Sequence, residues 1–119
     1  MTDNEAYKIK VIISQEVNDF LSKIDISAKT KIIFNIDKIA NGHRDAELFK
    51  KLENTDIWEF RTRYNKIQYR LLAFWDTNTE TLIVTTHGFI KKTQKTPIKE
   101  IQKAENAMKE YYRNTQQKK

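Results

Sequence analysis

Apolar and polar residues alternate over residues 57–64, which is typical of a β-strand that buries one face. Residues 69–75 are almost continuously apolar, as expected of a central strand covered on both faces. Asn65 and Lys66 lie between these stretches and fit a two-residue hairpin turn, because asparagine tolerates the left-handed backbone that such turns need. A third strand follows a turn over residues 76–80. The pattern therefore predicts a three-stranded meander.

The hairpin turn determines which residues of the first two strands face each other. The expected pairs are Arg61 with Arg70, Arg63 with Gln68 and Tyr64 with Ile67. All three arginines then lie on one face of the sheet. Like charges directly opposite each other destabilise a sheet, by roughly 0.2–1 kcal/mol. Folding does not require this arrangement, whereas an anion-binding face does.

The remaining apolar pattern predicts a strand and two helices before the meander and one helix after it. The first strand is expected over residues 7–13. Ser14 is expected to cap the first helix, Gly42 to end the second, and Thr96 to cap a last helix that begins at Pro97. The predicted buried stripes are Val17, Phe20, Leu21 and Ile24; Ile32, Ile33, Ile36, Ile39 and Ala40; and Ile98, Ile101, Ala104, Met108 and Tyr111.

Residues 43–56 are polar apart from Leu48 and Phe49, and an exposed connection with at most one helical turn is expected there. Residues 114–119 are expected to fray. The order is strand, two helices, three strands and helix, which predicts an α+β fold with helices packed on a small antiparallel sheet. The 119 residues are expected to form a single domain, residues 1–119, because this length can bury one core.

The composition narrows the expected partners and location. The net charge of +6 makes nucleic acid or an acidic protein the expected partner. The absence of cysteine excludes a disulfide framework, a thiol nucleophile and a thiolate metal site. No apolar run reaches transmembrane length, and the start of the chain lacks a signal-peptide pattern, so a cytoplasmic protein without membrane contact is expected.

Three motifs in the chain resemble those of the RelE/ParE toxin superfamily, and the HigB-like, phage-derived branch most of all. They are Glu59-Phe60-Arg61, Tyr69-Arg70-Leu71-Leu72 and the segment 88–97, Gly-Phe-Ile-Lys-Lys-Thr-Gln-Lys-Thr-Pro. The resemblance implies a RelE-like β-ααβββ fold with a C-terminal helix. It also implies the toxin of a type II toxin–antitoxin pair, which cuts mRNA on the ribosome. The implied partners are mRNA, the ribosome and a cognate antitoxin, commonly a helix-turn-helix DNA-binding protein, with little direct contact between toxin and DNA.

Metal-independent RNA cleavage uses the ribose 2′-OH as its nucleophile and needs a base, an acid and cations that stabilise transition-state charge. Guanidinium groups suit the last role because they match pairs of phosphate oxygens. The resemblance assigns catalytic roles to Arg61 and Arg70, and Lys91 and Lys92 match the basic pair of the family. A lysine crowded by arginines has a lowered pKa, which favours proton transfer. Neither a metal ion nor a cofactor is expected.

His87 is a further catalytic candidate, because an unperturbed histidine pKa near 6.5 suits acid–base chemistry. One register of the third strand places it opposite Tyr69, and a slip of one residue places it beside Arg70. Some family members carry a tyrosine near the start of the final helix, and this chain has Thr-Pro-Ile-Lys there. The candidates for contact with RNA are Arg63, Tyr64, Tyr69, Phe89 and Lys95.

Structural roles compete with these assignments. Arg61 and Arg63 also fit a solvated strand face paired with Glu59. Arg70 also fits a structural ion pair, and His87 a hydrogen-bonded structural histidine. Two other functions share the fold: a ParE-like toxin that poisons DNA gyrase without catalysis, and a degenerate member that only binds RNA or its antitoxin. The clustered basic residues favour the nuclease.

Overall fold

The computed structural model describes residues 8–117, so Tyr7 of the predicted first strand and the last two lysines lie outside the described residues. The predicted α+β architecture is confirmed, and one short strand is added to it. The elements in this part of the chain are β1 (Lys10–Ile12), α1 (Gln15–Ser22), α2 (Ile26–Ala40), β2 (Phe49–Lys51), β3 (Trp58–Tyr64), β4 (Ile67–Trp75), β5 (Leu82–Lys91) and α3 (Ile98–Gln117).

The strands form one mixed sheet in the order β1-β5-β4-β3-β2. β1 runs parallel to β5, and the other neighbours are antiparallel. β4 lies in the middle and is buried over most of its length, which confirms the prediction of a central strand covered on both faces. α1 and α2 pack on one face of the sheet and α3 packs on the other. No helix within residues 8–117 is both long and apolar enough to cross a bilayer.

The β3–β4 hairpin has the predicted turn and the predicted register. Asn65 and Lys66 adopt φ angles of 52° and 69°, the left-handed conformation of a two-residue hairpin turn whose twist matches that of the strands. Arg61 consequently lies directly opposite Arg70. Local turn chemistry thus positions two arginines face to face across neighbouring strands.

Residues 43–56 contain β2, which corrects the expectation of an exposed connection. Phe49 pairs with Phe60 in the sheet, and their ring centres are 4.4 Å apart. Phe49 also stacks on Trp58 at 4.8 Å. The strand is only three residues long, and its stabilisation comes from these aromatic contacts across the sheet rather than from a local pattern.

β5 contains a bulge, because Leu72 pairs with His87 and the next residue, Ala73, pairs with Thr85. Thr86 is the extra residue. The bulge changes which side chains of β5 face the two helix layers, so the bulge decides where His87 points. Gly88 follows directly, in a space so tight that an added Cβ would lie 2.5 Å from a ring carbon of Phe20.

The ends and stripes of the helices agree with the sequence except at three places. Ser14 caps α1 as predicted, by accepting a hydrogen bond from the Val17 amide. The buried stripe of α2 uses Ala28, Ile32, Asn35, Ile36 and Ile39, and Ile33 lies off this stripe with 37% exposure. Two corrections concern α3: Ile98 is exposed, and Thr96 does not cap the helix. The described helix extends to Gln117. Thr115 donates a hydrogen bond to the Tyr111 carbonyl in this last turn.

Candidate anion-binding site

Glu59 lies between two arginines on the sheet face that also carries α3. The Nε atoms of Arg61 and Arg70 are each 3.5 Å from Glu59 Oε1. Thr96 Oγ1 donates a hydrogen bond of 2.8 Å to Glu59 Oε2, in place of the predicted helix cap. Glu59 and Arg70 are 3% and 4% exposed, whereas the Arg61 side chain is 30% exposed. One carboxylate therefore offsets the repulsion between two guanidinium groups that the strand register places together.

Arg70 is the better anchored of the two arginines. Its Nη1 donates to the Tyr69 carbonyl at 3.0 Å, and its Nη2 donates to Gln68 Oε1 at 3.3 Å. Burial lowers the pKa of Arg70, against the effect of Glu59, which raises it. The Nε atoms of Arg61 and Arg70 have no hydrogen-bond partner in the part of the chain that the structure describes. Both Nε atoms are buried beside Glu59, so donors for an anionic ligand would come from the terminal guanidinium nitrogens, above all those of Arg61, whose side chain is 30% exposed.

Two lysines from other strands add positive charge to this face. Lys91 lies opposite Gln68 at the end of β5, and Lys50 of β2 lies opposite Glu59. Burial lowers the pKa of Lys91, Arg70 lowers it further, and Glu59 opposes the shift. The pKa of Lys91 is therefore lowered as predicted, but burial is the larger cause and the neighbouring arginines are the smaller one. Lys50 is missed by the sequence analysis because the local pattern does not predict β2.

Arg61 and Arg70 line one end of a groove of about 710 Å³. The groove extends from the sheet face that carries them (the arginine face), past the edge of β3, to α2. Its charged lining residues are Lys31, Lys38, Arg61, Arg63, Arg70 and Glu47. The lining of this basic groove therefore contains five cationic side chains and one carboxylate. Clustered positive charge in a concave surface focuses the field on anionic ligands and attracts them.

His87 lies opposite Leu72 and under the start of α3, so both registers expected for it are wrong. Its Nε2 shares a hydrogen bond of 3.0 Å with Glu100 Oε1, and its Nδ1 shares one of 3.0 Å with Thr86 Oγ1. The residue is 2% exposed. Burial lowers the pKa of His87, while the hydrogen bond to Glu100 raises it. With both ring nitrogens occupied, His87 fits the structural alternative and joins β5 to α3.

Two of the predicted RNA-contacting tyrosines lie on the face that α1 and α2 cover. Tyr69 is 3% exposed and packs edge-on against Phe20, with ring centres 6.5 Å apart. Tyr69 is therefore not free to stack on a base, which corrects that prediction. Tyr64 is partly exposed, and Lys31 Nζ lies 5.9 Å from its ring centre. The alternation of β3 and β4 turns both tyrosines away from the arginines.

The other candidates lie on or near the arginine face. Arg63 is exposed and lines the basic groove. Phe89 is partly buried opposite Arg70 and stacks against His87. Lys92 and Lys95 are exposed in the segment between β5 and α3, and neither lines the groove. The end of β5 therefore places one lysine of the predicted pair at the arginines. Among residues 8–117, no three His, Asp or Glu side chains lie close enough to hold a metal ion.

The mixed sheet, with two helices on one face and one on the other, defines a RelE-like α+β protein with a basic groove at one sheet edge. The family described as phage derived protein Gp49-like (DUF891) matches residues 19–109. The chain belongs to this phage-derived, toxin-like family, which is related to the RelE-type toxins. No curated protein matches the chain.

Proposed function

We propose that the chain is the toxin of a type II toxin–antitoxin pair and cuts mRNA on the ribosome as a metal-independent endoribonuclease of the HigB-like branch. The observation that carries this proposal is the meeting of Arg61 and Arg70 at a concave basic surface, with Lys91 of lowered pKa on the same face. Such a cluster costs folding free energy and is explained by an anionic substrate.

In this mechanism the 2′-oxygen attacks the adjacent phosphorus and the bond to the 5′-oxygen breaks, which leaves a 2′,3′-cyclic phosphate and a 5′-hydroxyl. Arg61 and Arg63 are the more exposed arginines and bind the non-bridging phosphate oxygens. Arg70, fixed by its hydrogen bonds, stabilises the charge that develops in the transition state. The 2′-OH proton passes to solvent, and the Lys91 ammonium donates a proton to the leaving oxygen. Its lowered pKa makes it a stronger acid than an ordinary lysine.

The proposed partner is an antitoxin, expected to be a helix-turn-helix DNA-binding protein whose acidic or apolar segment covers the basic groove. Charge complementarity supports this arrangement, because five cations line the groove. The toxin is proposed to act in the cytoplasm, where translated mRNA and ribosomes are found.

A non-cleaving member that binds only RNA or an antitoxin is the second candidate. The ion pairs of Glu59 favour this function, because they already neutralise part of the positive charge of both arginines. It is also favoured by the burial of His87, which removes one candidate proton carrier.

Controlled expression in bacteria, with mRNA mapping and a purified ribosome assay, separates these functions. The unaltered chain is expected to stop growth and to fragment translated messages. Arg61→Ala, at the more exposed arginine, is expected to lower the cleavage rate by about 100-fold or more, as loss of a transition-state donor does. Arg70→Lys tests the bidentate group while keeping a cation in a buried position. Arg113→Ala changes an exposed arginine of α3 and serves as the control.

Cleavage that survives Arg61→Ala and Arg70→Lys unchanged would contradict the proposed site. Intact messages with accumulated DNA breaks would identify a gyrase poison of the ParE type. Normal growth together with tight antitoxin binding would identify the non-cleaving member.

A further inference from the structure

The basic groove does not end at the arginines but continues around an unpaired strand edge. β2 pairs with the segment from Trp58 to Phe60, and within residues 8–117 no strand pairs with the second half of β3 on that side. Lys31 Nζ reaches across from α2 and donates a hydrogen bond of 2.8 Å to the Arg63 carbonyl. This lysine occupies a backbone acceptor that an added strand would use, which disfavours extension of the sheet by a peptide there.

Phe34 forms an exposed aromatic surface in the wall of this groove. Its side chain is 59% exposed, although phenylalanine is usually buried. Lys38 Nζ lies 5.3 Å from its ring centre. The next residue, Asn35, turns inward and donates a 3.0 Å hydrogen bond to Thr62 Oγ1 in the interior. The buried stripe of α2 therefore requires Asn35 to face the sheet and leaves Phe34 facing the groove.

We propose that Phe34, Lys31 and Lys38 form a second RNA subsite, where a base stacks on Phe34 and the two lysines contact the flanking phosphates. This inference rests on the proposed function, because the same strand would present its scissile phosphate to Arg61 and Arg70. An exposed aromatic ring between cations is the usual combination in sites that hold single-stranded nucleic acid. The subsite and the arginines line one continuous cavity, so a flexible single strand can occupy both.

An acidic protein segment would also be attracted by the cations, but two features favour RNA. Lys31 occupies the Arg63 carbonyl at the strand edge, which removes one of the backbone hydrogen bonds that an extended peptide would gain there. The lining also contains the exposed Phe34 ring, with Lys38 beside it. An exposed planar ring next to a cation suits the stacking of a nucleobase.

The test measures binding of a fluorescein-labelled, single-stranded 2′-O-methyl oligoribonucleotide by anisotropy at low salt. The 2′-O-methyl groups block cleavage, so only affinity is measured. Phe34→Leu removes the ring and is expected to weaken binding by about 5- to 150-fold, whereas Phe34→Tyr keeps the ring and is expected to retain affinity. Ile26→Ala changes a residue of the same helix that is 75% exposed and does not line the groove, and it should bind as the unaltered chain does.

The lysines are tested through the salt dependence. Lys38→Gln is expected to reduce the slope of log affinity against log salt by about 0.7, the value for one phosphate contact on a single strand. Equal affinities of Phe34→Leu and the unaltered chain, or no binding by the unaltered chain at low salt, would overturn the subsite. Loss of antitoxin binding without loss of RNA binding would assign the surface to the antitoxin instead. If Arg61→Ala abolishes cleavage while Phe34→Leu leaves RNA binding intact, the subsite fails and the proposed nuclease stands.

Discussion

Replacing Glu59 by glutamine keeps the shape of the side chain and removes the negative charge that lies between Arg61 and Arg70. Each guanidinium Nε is 3.5 Å from the carboxylate, which corresponds to an attraction of about 4.7 kcal/mol per pair at an effective dielectric constant of about 20. Desolvation offsets part of this attraction, and breaking a buried ion pair from one side typically costs about 3–5 kcal/mol. Neither Nε makes a well-aligned hydrogen bond, and Arg61 is partly solvated, so the lower end applies.

We therefore expect Glu59→Gln to lower the free energy of unfolding by about 3 kcal/mol. RNA affinity is expected to change in the opposite direction, with several-fold tighter binding at low salt, because the arginines lose their internal counter-charge. This gain should fade as salt is added, since screening weakens interactions between exposed charges. The pKa of Lys91 should also fall further, because Glu59 is among the groups that raise it.

Urea unfolding and anisotropy on the same preparations provide both measurements. Glu47→Gln removes an exposed carboxylate from the lining of the same groove and should change stability by no more than about 0.5 kcal/mol. Equal stability of Glu59→Gln and the unaltered chain would refute the account of the arginine pair. A stability loss without any gain in RNA affinity would leave Glu59 a purely structural counter-ion.

Two further predictions concern groups outside the groove. Because folding lowers the pKa of His87 below its ordinary value near 6.5, the unfolded chain binds more protons on acidification, and stability should fall as the pH drops below about 6.5. In urea unfolding, His87→Gln should reduce the loss of unfolding free energy between about pH 7 and about pH 5, whereas His43→Gln, at an exposed position, should leave this loss unchanged. If His87→Gln lost as much stability over this pH range as the unaltered chain, the assignment would be contradicted. The Tyr111 hydroxyl donates to Asp76 Oδ2 at 2.6 Å, which raises the pKa of Tyr111 to about 12. Tyr111→Phe should cost about 1.5–3 kcal/mol and remove from an ultraviolet titration the transition of a tyrosine with a pKa of about 12, and Tyr64→Phe should do neither; a Tyr111→Phe chain as stable as the unaltered one would contradict this role for the hydroxyl.

The arginine arrangement could be predicted from the sequence because every interaction that specifies it is local. Asn65 and Lys66 adopt the left-handed turn, and the two-residue period of the flanking strands then places Arg61 opposite Arg70. The hairpin needs no information from distant parts of the chain. The lowered pKa of Lys91 does, because it arises mainly from burial and then from Arg70, and both depend on where β5 lies in the sheet.

The position of His87 could not be predicted, because contacts with the other end of the chain stabilise the bulge. Ser14 Oγ donates to the Thr86 carbonyl at 2.9 Å, and its amide donates to Thr85 Oγ1 at 3.0 Å. Thr85 Oγ1 in turn donates to the Ile12 carbonyl. These partners are more than seventy residues away in sequence. No local pattern encodes the extra residue that turns His87 toward α3.

The sequence by itself determined the order of the elements other than β2, the hairpin register and the face that carries the arginines, because backbone conformation and side-chain periodicity are properties of neighbouring residues. The tertiary structure alone decided that Glu59 and Thr96 meet between the arginines, that Phe49 forms a strand, and that Phe34 faces the groove. Each of these outcomes depends on burial and charge contacts between segments distant in sequence. Their free energy exists only once the sheet and its helices have packed.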